Sequence, residues 1–465
     1  MLEDIFLFFA IIVNWFLFLL YCMQLFLFRV ELKKTEKTNI VLKNTLLKNP
    51  SEKFEALHQP LTIIVPAYNE EKTITKSIES LLKQSYQNLT IYIINDGSAD
   101  DTLLTCLQRF NMAAIPDLTQ NTMIPTKETY QFYQSVNYHN LYLIDKENGG
   151  KSDALNVGIN YTKTSHISFI DADTFLEEDA LISLMSSFYF DPKIVSIGGL
   201  IRPMTNNRVL HDPKIRTLNL LKGFQYLEYL RSVLVFRSSL SSINSTVIIS
   251  GAFGVYTTEI VRQIAGFETT SIGEDFDLTL KIRKYLNDNK IDKSQIFLSN
   301  SVCWTQPPAR VIEFVKQRSR WQIGFLQTII KQRKMVFRPR YRGVGMFSLP
   351  VFIFTELISL IIEVTGILIA LGLLMFNLIT WKKLLLIFLL SSSINLFFSL
   401  IVILQNSKLQ KLAYRDTLYL TFLAYIEAFS FHWLSSYCKL KGAILFLKAP
   451  RKKHQWGDMQ REEVR

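Results

Sequence analysis

The stretch Leu61-Thr62-Ile63-Ile64-Val65-Pro66-Ala67-Tyr68-Asn69-Glu70 starts as an almost unbroken apolar run, stops at a proline and ends on polar residues with an acid. An apolar run this short fits a strand buried on both faces. Outward from it the pattern repeats. Ile74, Ile78, Leu81 and Leu82 recur at helical spacing, Thr90 to Ile94 is a second short run, and Leu103 and Leu107 are again helical. The runs Leu141 to Ile144, Ala154 to Ile159 and Ile167 to Ile170 continue the series. Apolar runs alternating with amphipathic helices predict buried parallel strands with right-handed crossovers, an α/β doubly wound domain. Residues 111 to 138, rich in Thr, Asn, Gln and Tyr and without a clear period, read as a surface insertion.

Of 465 residues 49% are apolar and 20% charged, yet residues 5 to 28 carry no charge. Such a chain is neither disordered nor a small disulfide scaffold, and its length suits one large globular domain with membrane segments. The net charge of +12, from 52 basic and 40 acidic residues, does not form one soluble face. The basic residues flank apolar segments: Arg29, Lys33, Lys34 and Lys37; Lys331, Arg333, Lys334, Arg338, Arg340 and Arg342; Lys448, Arg451, Lys452 and Lys453. That is the pattern of cytoplasmic loops drawn to anionic membrane lipid, and it argues against nucleic acid as a partner. Cys22, Cys106, Cys303 and Cys438 form no CxxC motif and the six histidines no HxxxH pair, so a zinc site is not expected.

Ile5 to Phe28 is long enough to cross a hydrocarbon core about 30 Å thick. It follows Glu3-Asp4 and has no small-residue cleavage site, so residues 1–29 read as a transmembrane anchor rather than a cleaved signal. Acids before the span and Arg29, Lys33 and Lys34 after it place everything from residue 30 in the cytoplasm, with the anchor in the plasma membrane. Residues 30–60, lysine-rich and weakly periodic, read as a linker. Further apolar runs lie at Phe347 to Ile379, Leu384 to Gln405 and Leu418 to Leu440. The last precedes a basic tail, 441–465, which crossing would put outside; three spans with an interfacial or re-entrant last helix are therefore expected. By default the intramembrane groups Glu356, Glu363, Glu427 and His432 face a bundle interior or a polar path, and snorkelling to the headgroups fits Glu356 best. The boundaries that follow are 61–305 for the α/β domain, 306–346 for interfacial amphipathic helices and 347–440 for the membrane helices.

In doubly wound sheets ligands sit beyond the carboxyl ends of the strands. Tyr68-Asn69-Glu70, Asp96-Gly97-Ser98 and Asp171-Ala172-Asp173 stand there, and their acids together mark a site. Asp171 and Asp173 in a loop can converge on one hard cation, Mg2+ or Mn2+, shared with a diphosphate. Glu70 and Asp96 suit the hydroxyl and amide donors of a ribose and a pyrimidine. Gly149-Gly150-Lys151-Ser152 resembles the end of a phosphate loop, but Asp145 stands where that motif needs glycine. Lys151, opening a helix, can still meet a diphosphate. Farther on, Gly273-Glu274-Asp275 and Asp277 follow the glycine turn Gly266-Phe267, and Gln317, Arg320 and Trp321 share one helix face. A helix rich in Arg with Trp reads first as a membrane-surface helix, which does not explain the company of Gln317.

VPAYNE (Val65 to Glu70), NDGS (Asn95 to Ser98), DAD (Asp171 to Asp173), GED (Gly273 to Asp275) and QxxRW (Gln317 to Trp321) occur in that order, ahead of membrane helices. This set resembles the membrane glycosyltransferases of family 2, a group that includes the synthases of poly-N-acetylglucosamine, hyaluronan and cellulose. The resemblance covers Leu61 to Gln327 plus the membrane layout. It implies a GT-A-like nucleotide-sugar-binding domain with α-helical transmembrane segments. It also implies inverting transfer from a UDP-sugar donor to a growing β-linked polysaccharide acceptor, exported through the membrane region, with N-acetylglucosamine the favoured sugar. Carried over by position, Tyr68, Glu70 and Asp96 hold the uridine, Lys151 and Asp171 the diphosphate, and Asp173 the metal, Mg2+ or Mn2+. Asp275 is the general base, and Gln317, Arg320 and Trp321 contact the diphosphate and the acceptor end. An accessory membrane subunit is a further partner the group suggests. Gly273 stands where many relatives have threonine, which leaves Asp275 in place and alters its flank. Two other readings share the motifs. One is a non-processive transferase placing a single sugar on a polyprenyl phosphate, against which QxxRW and the downstream spans speak. The other is a membrane scaffold that binds nucleotide sugar without turning it over.

Overall fold

The computed structural model describes residues 1–48, 58–120, 124–204 and 215–449. Part of the expected linker, 49–57, and the basic tail from 450 onward lie outside the described residues.

Leu61–Ala67 is β1, and every one of its residues is buried, as the continuous apolar run requires. It pairs in parallel with β2 (Leu89–Asp96) on one side and β6 (His166–Phe169) on the other, and β2 pairs in parallel with β5 (Leu141–Lys146). Helices α2 (Ile74–Leu82), α3 (Thr102–Arg109) and α4 (Lys151–Tyr161) lie between these strands in the chain, so the centre of the sheet is the doubly wound core expected.

The expected surface insertion is corrected. Met112–Ile115 (β3) and Thr129–Ser135 (β4) form a hairpin-like edge antiparallel to β5. Residues 129 to 135 bury Phe132 and Ser135 while Tyr130 stands in solvent. One wet face and one packed face is the habit of an antiparallel edge, and the polar composition of the wet face hid the strand. The rest of the sheet is mixed rather than parallel. With β7 (Thr174–Leu176), β8 (Ile194–Pro203), β9 (Gly254–Thr257) and β10 (Ser294–Thr305), the strand order among the described residues is β3-β4-β5-β2-β1-β6-β9-β8-β10-β7. β9 runs antiparallel to both β6 and β8, β8 and β10 are parallel, and β7 closes antiparallel on β10. Burial on both faces reads alike in the two orientations, so apolar runs alone could not separate them.

The helix that holds the expected anchor continues past residue 29. Helix α1 spans Leu2–Lys48 and takes up the start of the expected linker. Phe28, Glu31 and Thr35 are buried, Phe28 in the main core and Glu31 accepting from Ser241 Oγ at 3.0 Å. Through Thr35 the helix is supported by packing on the α/β domain rather than by propensity alone. The domain is completed by α5 (Ala180–Phe190), α6 (Leu220–Tyr229), a π-helical segment Leu230–Arg237, α7 (Ser238–Ser242), α8 (Thr258–Gln263) and α9 (Glu274–Asp288).

Helix α10 (Val311–Lys331), within the stretch 306–346 expected to hold interfacial amphipathic helices, buries Phe314, Val315, Arg318, Ser319 and the run Gln322 to Leu326, while Val311, Ile312 and Trp321 stand exposed. It lies against the domain on one side. On the other it meets the C-terminal helix at Gly442, where a β-carbon would come within 2.7 Å of both Gln322 and Ser319. Basic residues read as flanking the membrane also reach acids of the domain: Lys331 meets Glu268 and Asp277, Arg340 meets Asp288 and Arg342 meets Asp292.

Among the described residues three helices are long and apolar enough to cross a membrane: Leu2–Lys37 within α1, α11 (Val344–Met375) and α12 (Trp381–Gln410). The run Leu418 to Leu440 is interrupted at residues 428–430, between α13 (Tyr414–Glu427) and α14 (Phe431–Lys448). The polar groups of this region face one another. Glu427 makes a forked contact with Arg231, which also donates to Ser399 Oγ at 2.8 Å. Glu363 meets His432 at 3.0 Å and accepts from Ser436. Glu356, expected to snorkel, pairs with Lys439 at 2.9 Å because α14 passes beside it. Pairing is what makes buried charge tolerable.

Candidate active site

The ends of β1 and β2 are tied together. Asn69, at a φ of 55°, donates its N–H to Ser98 Oγ (3.1 Å) and accepts from Ala99 N–H through Oδ1 (2.8 Å). Tyr68 is half-buried at this edge and Glu70 is buried, its Oε2 accepting from Thr73 Oγ1 at 2.7 Å.

Asp96 is placed otherwise than expected. Its carboxylate is fully buried; Oδ1 lies 2.6 Å from Lys146 Nζ and accepts from Gly149 N–H at 3.0 Å, while Oδ2 accepts from Gly150 N–H at 2.8 Å. Lys146 also meets Asp153 at 2.8 Å. A wholly buried ammonium requires such partners, so Asp96 points into its own chain and fastens the turn before α4. That turn needs glycine: Gly150 has a φ of 90°, and a β-carbon on Gly149 would sit 2.5 Å from Asp153. Lys146 was not a candidate, since a lysine ending a strand reads as solvated.

Helix α4 opens at Lys151, as the sequence predicts, and its Nζ reaches Asp171 Oδ1 at 2.7 Å and Glu274 Oε1 at 2.9 Å. One ammonium thus joins the DAD and GED motifs, more than a hundred residues apart in the chain. Burial works against the charge of Lys151, but the two carboxylates hold it protonated, with its pKa raised above the ordinary lysine value. Burial likewise works against the Glu274 carboxylate, and Lys151 overrides it, drawing Glu274 below its usual range. Asp275 goes the other way. Burial and then the charge of Glu274 push it up, only partly offset by Lys151 and by N–H donors from Gly251 (3.2 Å to Oδ2) and Phe276 (2.8 Å to Oδ1). Neighbouring carboxyls whose proton affinities are driven apart are the arrangement that suits Asp275, not Glu274, to accept a proton. Asp275 lies inside the first turn of α9, with Gly273 at the cap position. Asp277 is turned away, bonded to Lys331 at 2.8 Å and Gln332 at 3.1 Å, and does not join the cluster.

Asp171 is raised by burial and by the charge of Asp173, with Lys151 pulling against both. Two oxygen-donor carboxyls one residue apart, repelling each other next to Lys151, fit a hard divalent cation. Among the described residues no group of three or more His, Cys, Asp or Glu side chains could hold a metal by itself, so such a cation would complete its shell from a ligand and water.

The QxxRW residues lie along α10. Gln317 is half-buried, and its Oε1 is buried with no hydrogen-bond partner among the described residues, an acceptor that a donor group would satisfy. Arg320 is near enough to Glu274 for its charge to help depress that carboxyl. Trp321 is 44% exposed, with the Arg318 guanidinium 4.0 Å from its ring centroid, and Arg318 pairs with Glu228 at 2.7 Å. Two further residues escaped the sequence reading. Gly251 lies against Lys151, Glu274 and Asp275, and its signal was the pair of glycines in Gly251-Ala252-Phe253-Gly254 just before a strand. Arg237 ends the π-helical segment close to Asp275; burial lowers its pKa and Asp275 opposes the shift. A charge closing the run Val233-Leu234-Val235-Phe236 could have drawn attention to it.

A sheet that gathers carboxylates around one lysine beyond its strand ends, joined to helices of membrane-spanning length, defines a GT-A α/β domain with a helical membrane region. A solved mannosyltransferase from Pyrobaculum calidifontis, in complex with GDP-Man and Mn2+, shares the fold at a TM-score of 0.53, covering 90% of this chain and 99% of that one at 16% identity. The sequence profile of the glycosyltransferase-like family 2 matches residues 58–324, more than half of the chain, and the chain belongs to that family. It is a glycosyltransferase. The poly-beta-1,6-N-acetyl-D-glucosamine synthase of Staphylococcus aureus (strain COL) is 25% identical over 321 residues, 69% of this chain and 66% of that protein. The synthase of the same name from Staphylococcus epidermidis is 24% identical over 288 residues, 62% of this chain and 58% of that one. The match thus spans about two thirds of the length of the first relative and less of the second.

Proposed function

We propose that the protein transfers a sugar, with inversion, from a UDP-α-sugar to the end of a growing β-linked polysaccharide, with UDP-N-acetylglucosamine as donor. The observation that carries this reading is the cluster in which Lys151 is shared by Asp171 and Glu274, beside an Asp275 whose carboxyl holds its proton more tightly. The names of the staphylococcal relatives favour N-acetylglucosamine.

The donor diphosphate lies at the N-terminus of α4, against Lys151, where helix dipole and ammonium act together. Tyr68 and Glu70 receive the uridine, and Asp96 contributes by holding the turn before α4. Asp173, with Asp171, would hold Mg2+ or Mn2+, which when bound screens the diphosphate and eases its departure. Asp275 takes the proton of an acceptor hydroxyl while that oxygen bonds to the anomeric carbon and the bond to UDP breaks on the opposite face. The sugar passes through an oxocarbenium-like state, and Lys151 and Arg320 take up charge growing on the departing diphosphate. Gln317 accepts a hydrogen bond from the acceptor, and the face of Trp321 not covered by Arg318 stacks on its terminal sugar. The catalytic domain lies on the cytoplasmic side of the plasma membrane, and the polymer leaves between the membrane helices.

Product length from membranes supplied with labelled UDP-N-acetylglucosamine tests this reading. A long polymer supports it; one sugar on a polyprenyl phosphate replaces it with the non-processive reaction. Trp321→Ala should weaken elongation more than UDP binding, since a lost stacking platform costs about 1 to 3 kcal/mol on the acceptor side. Unchanged polymer yield with weakened UDP binding would put Trp321 on the donor side.

A further inference from the structure

The face of α10 that carries Gln317 and Trp321 continues past the motif. Gln317, Trp321, Gly324, Gln327 and Lys331 follow at steps of three and four residues, the spacing of one helical stripe. The second half of that stripe lies on the loop and first turn that carry Asp275. Gly324 rests on Gly273: a β-carbon at 324 would stand 2.8 Å from the Gly273 nitrogen and 2.9 Å from its Cα, and one at 273 would stand 3.1 Å from the carbonyl carbon and oxygen of Gly324. Backbone meets backbone there, so no flexible side chain can yield. One residue earlier, Ile272 N–H donates to Gln327 Oε1 at 3.2 Å. On the far side of Asp275, Asp277 is held by Lys331 at 2.8 Å and by Gln332 at 3.1 Å. The segment Gly273-Glu274-Asp275 is therefore clamped to α10 before and after the acid.

We infer that Gly324 and Gln327 are positioning residues of the transfer step. With one half of its stripe α10 presents Gln317 and Trp321 to the acceptor, and with the other half it sets the place of Asp275, so that acceptor contact and proton acceptor form one rigid unit. The inference rests on the reading of Asp275 as the base. A displacement of about 1 Å at a reacting group can cost on the order of a hundredfold in rate, which is the size of shift a methyl group on Gly324 would force.

The test uses the full-length protein in membranes, with steady-state UDP release and UDP binding measured together. Gly324→Ala should lower kcat by roughly a hundredfold with donor affinity kept within about threefold, and should move the acid limb of the pH–rate profile, because Asp275 leaves its present neighbours. Gln327→Leu should lower kcat in the same selective way, and Gln327→Glu, which keeps an oxygen for Ile272 N–H, should restore much of it. Gly372→Ala, on α11 where a β-carbon meets nothing within 4 Å, should behave as wild type. A Gly324→Ala protein with wild-type kcat and pH profile, or one losing donor affinity and kcat in parallel, overturns the inference. Should Gly324→Ala not fold, the Gln327 pair decides, and a fully active Gln327→Leu overturns it. Wild-type protein that releases no UDP from any UDP-sugar would reject the functional reading itself, an outcome distinct from these.

Discussion

Asp275→Asn should bind UDP-sugar nearly as the wild type does and transfer it slower by roughly a hundredfold or more. Asparagine keeps the size of the side chain and one oxygen for the N–H of Gly251 or Phe276, both of which donate to Asp275. It cannot take a proton. The pH dependence follows from the direction of the shift: burial and Glu274 raise the Asp275 carboxyl, and a base works only when ionised, so transfer should rise with pH through a value above the usual carboxylate range. The residual activity of the asparagine variant should lose that limb. Calorimetric UDP binding and steady-state UDP release, measured on the same preparations, check both statements. Near-normal synthesis by Asp275→Asn would make Asp275 a tie between Gly251 and α9 and leave the base to be sought elsewhere. Glu274 would be a poor substitute, because its ion pair with Lys151 lowers its proton affinity.

Removing divalent cations, or Asp173→Asn, should act differently in kind. Both should lower donor affinity, by roughly tenfold or more, and transfer along with it. Asp171 and Asp173 repel each other, and the Lys151 ammonium beside Asp171 is shared with Glu274. A diphosphate approaching that pair brings further negative charge, which needs a screening cation. UDP binding measured with and without Mn2+ reads the effect independently of turnover. Full turnover in excess chelator would show that Lys151 and nearby arginines suffice.

The parallel centre of the sheet was legible because β1, β2, β5 and β6 are buried on both faces, and burial on both faces writes itself as unbroken apolar runs. Lys151 at the start of α4 was legible through its glycines. What the sequence hid was chiefly a matter of partners far apart in the chain. Whether Asp96 faces a ligand or its own fold depends on Lys146, fifty residues away, whose burial no local pattern announces. That Lys151 would be shared between Asp171 and Glu274 depends on α9 being brought to the head of α4. The edge strand β4 was lost for the opposite reason, since its pattern is local but its wet face is polar. Helix α10 reads as amphipathic, yet glycines at 324 and 442 let it be enclosed on two sides. Such close backbone contact shows in a sequence only as a glycine without a turn.

The most direct test of the chemistry is the anomeric configuration of the product formed from labelled UDP-α-N-acetylglucosamine by the full-length protein in membranes. A single displacement with Asp275 as base predicts β-linked N-acetylglucosamine, sensitive to β-specific hexosaminidases, with one UDP released for each sugar added. An α-linked product, or sugar transfer that leaves the stereochemistry of the donor unchanged, would contradict it.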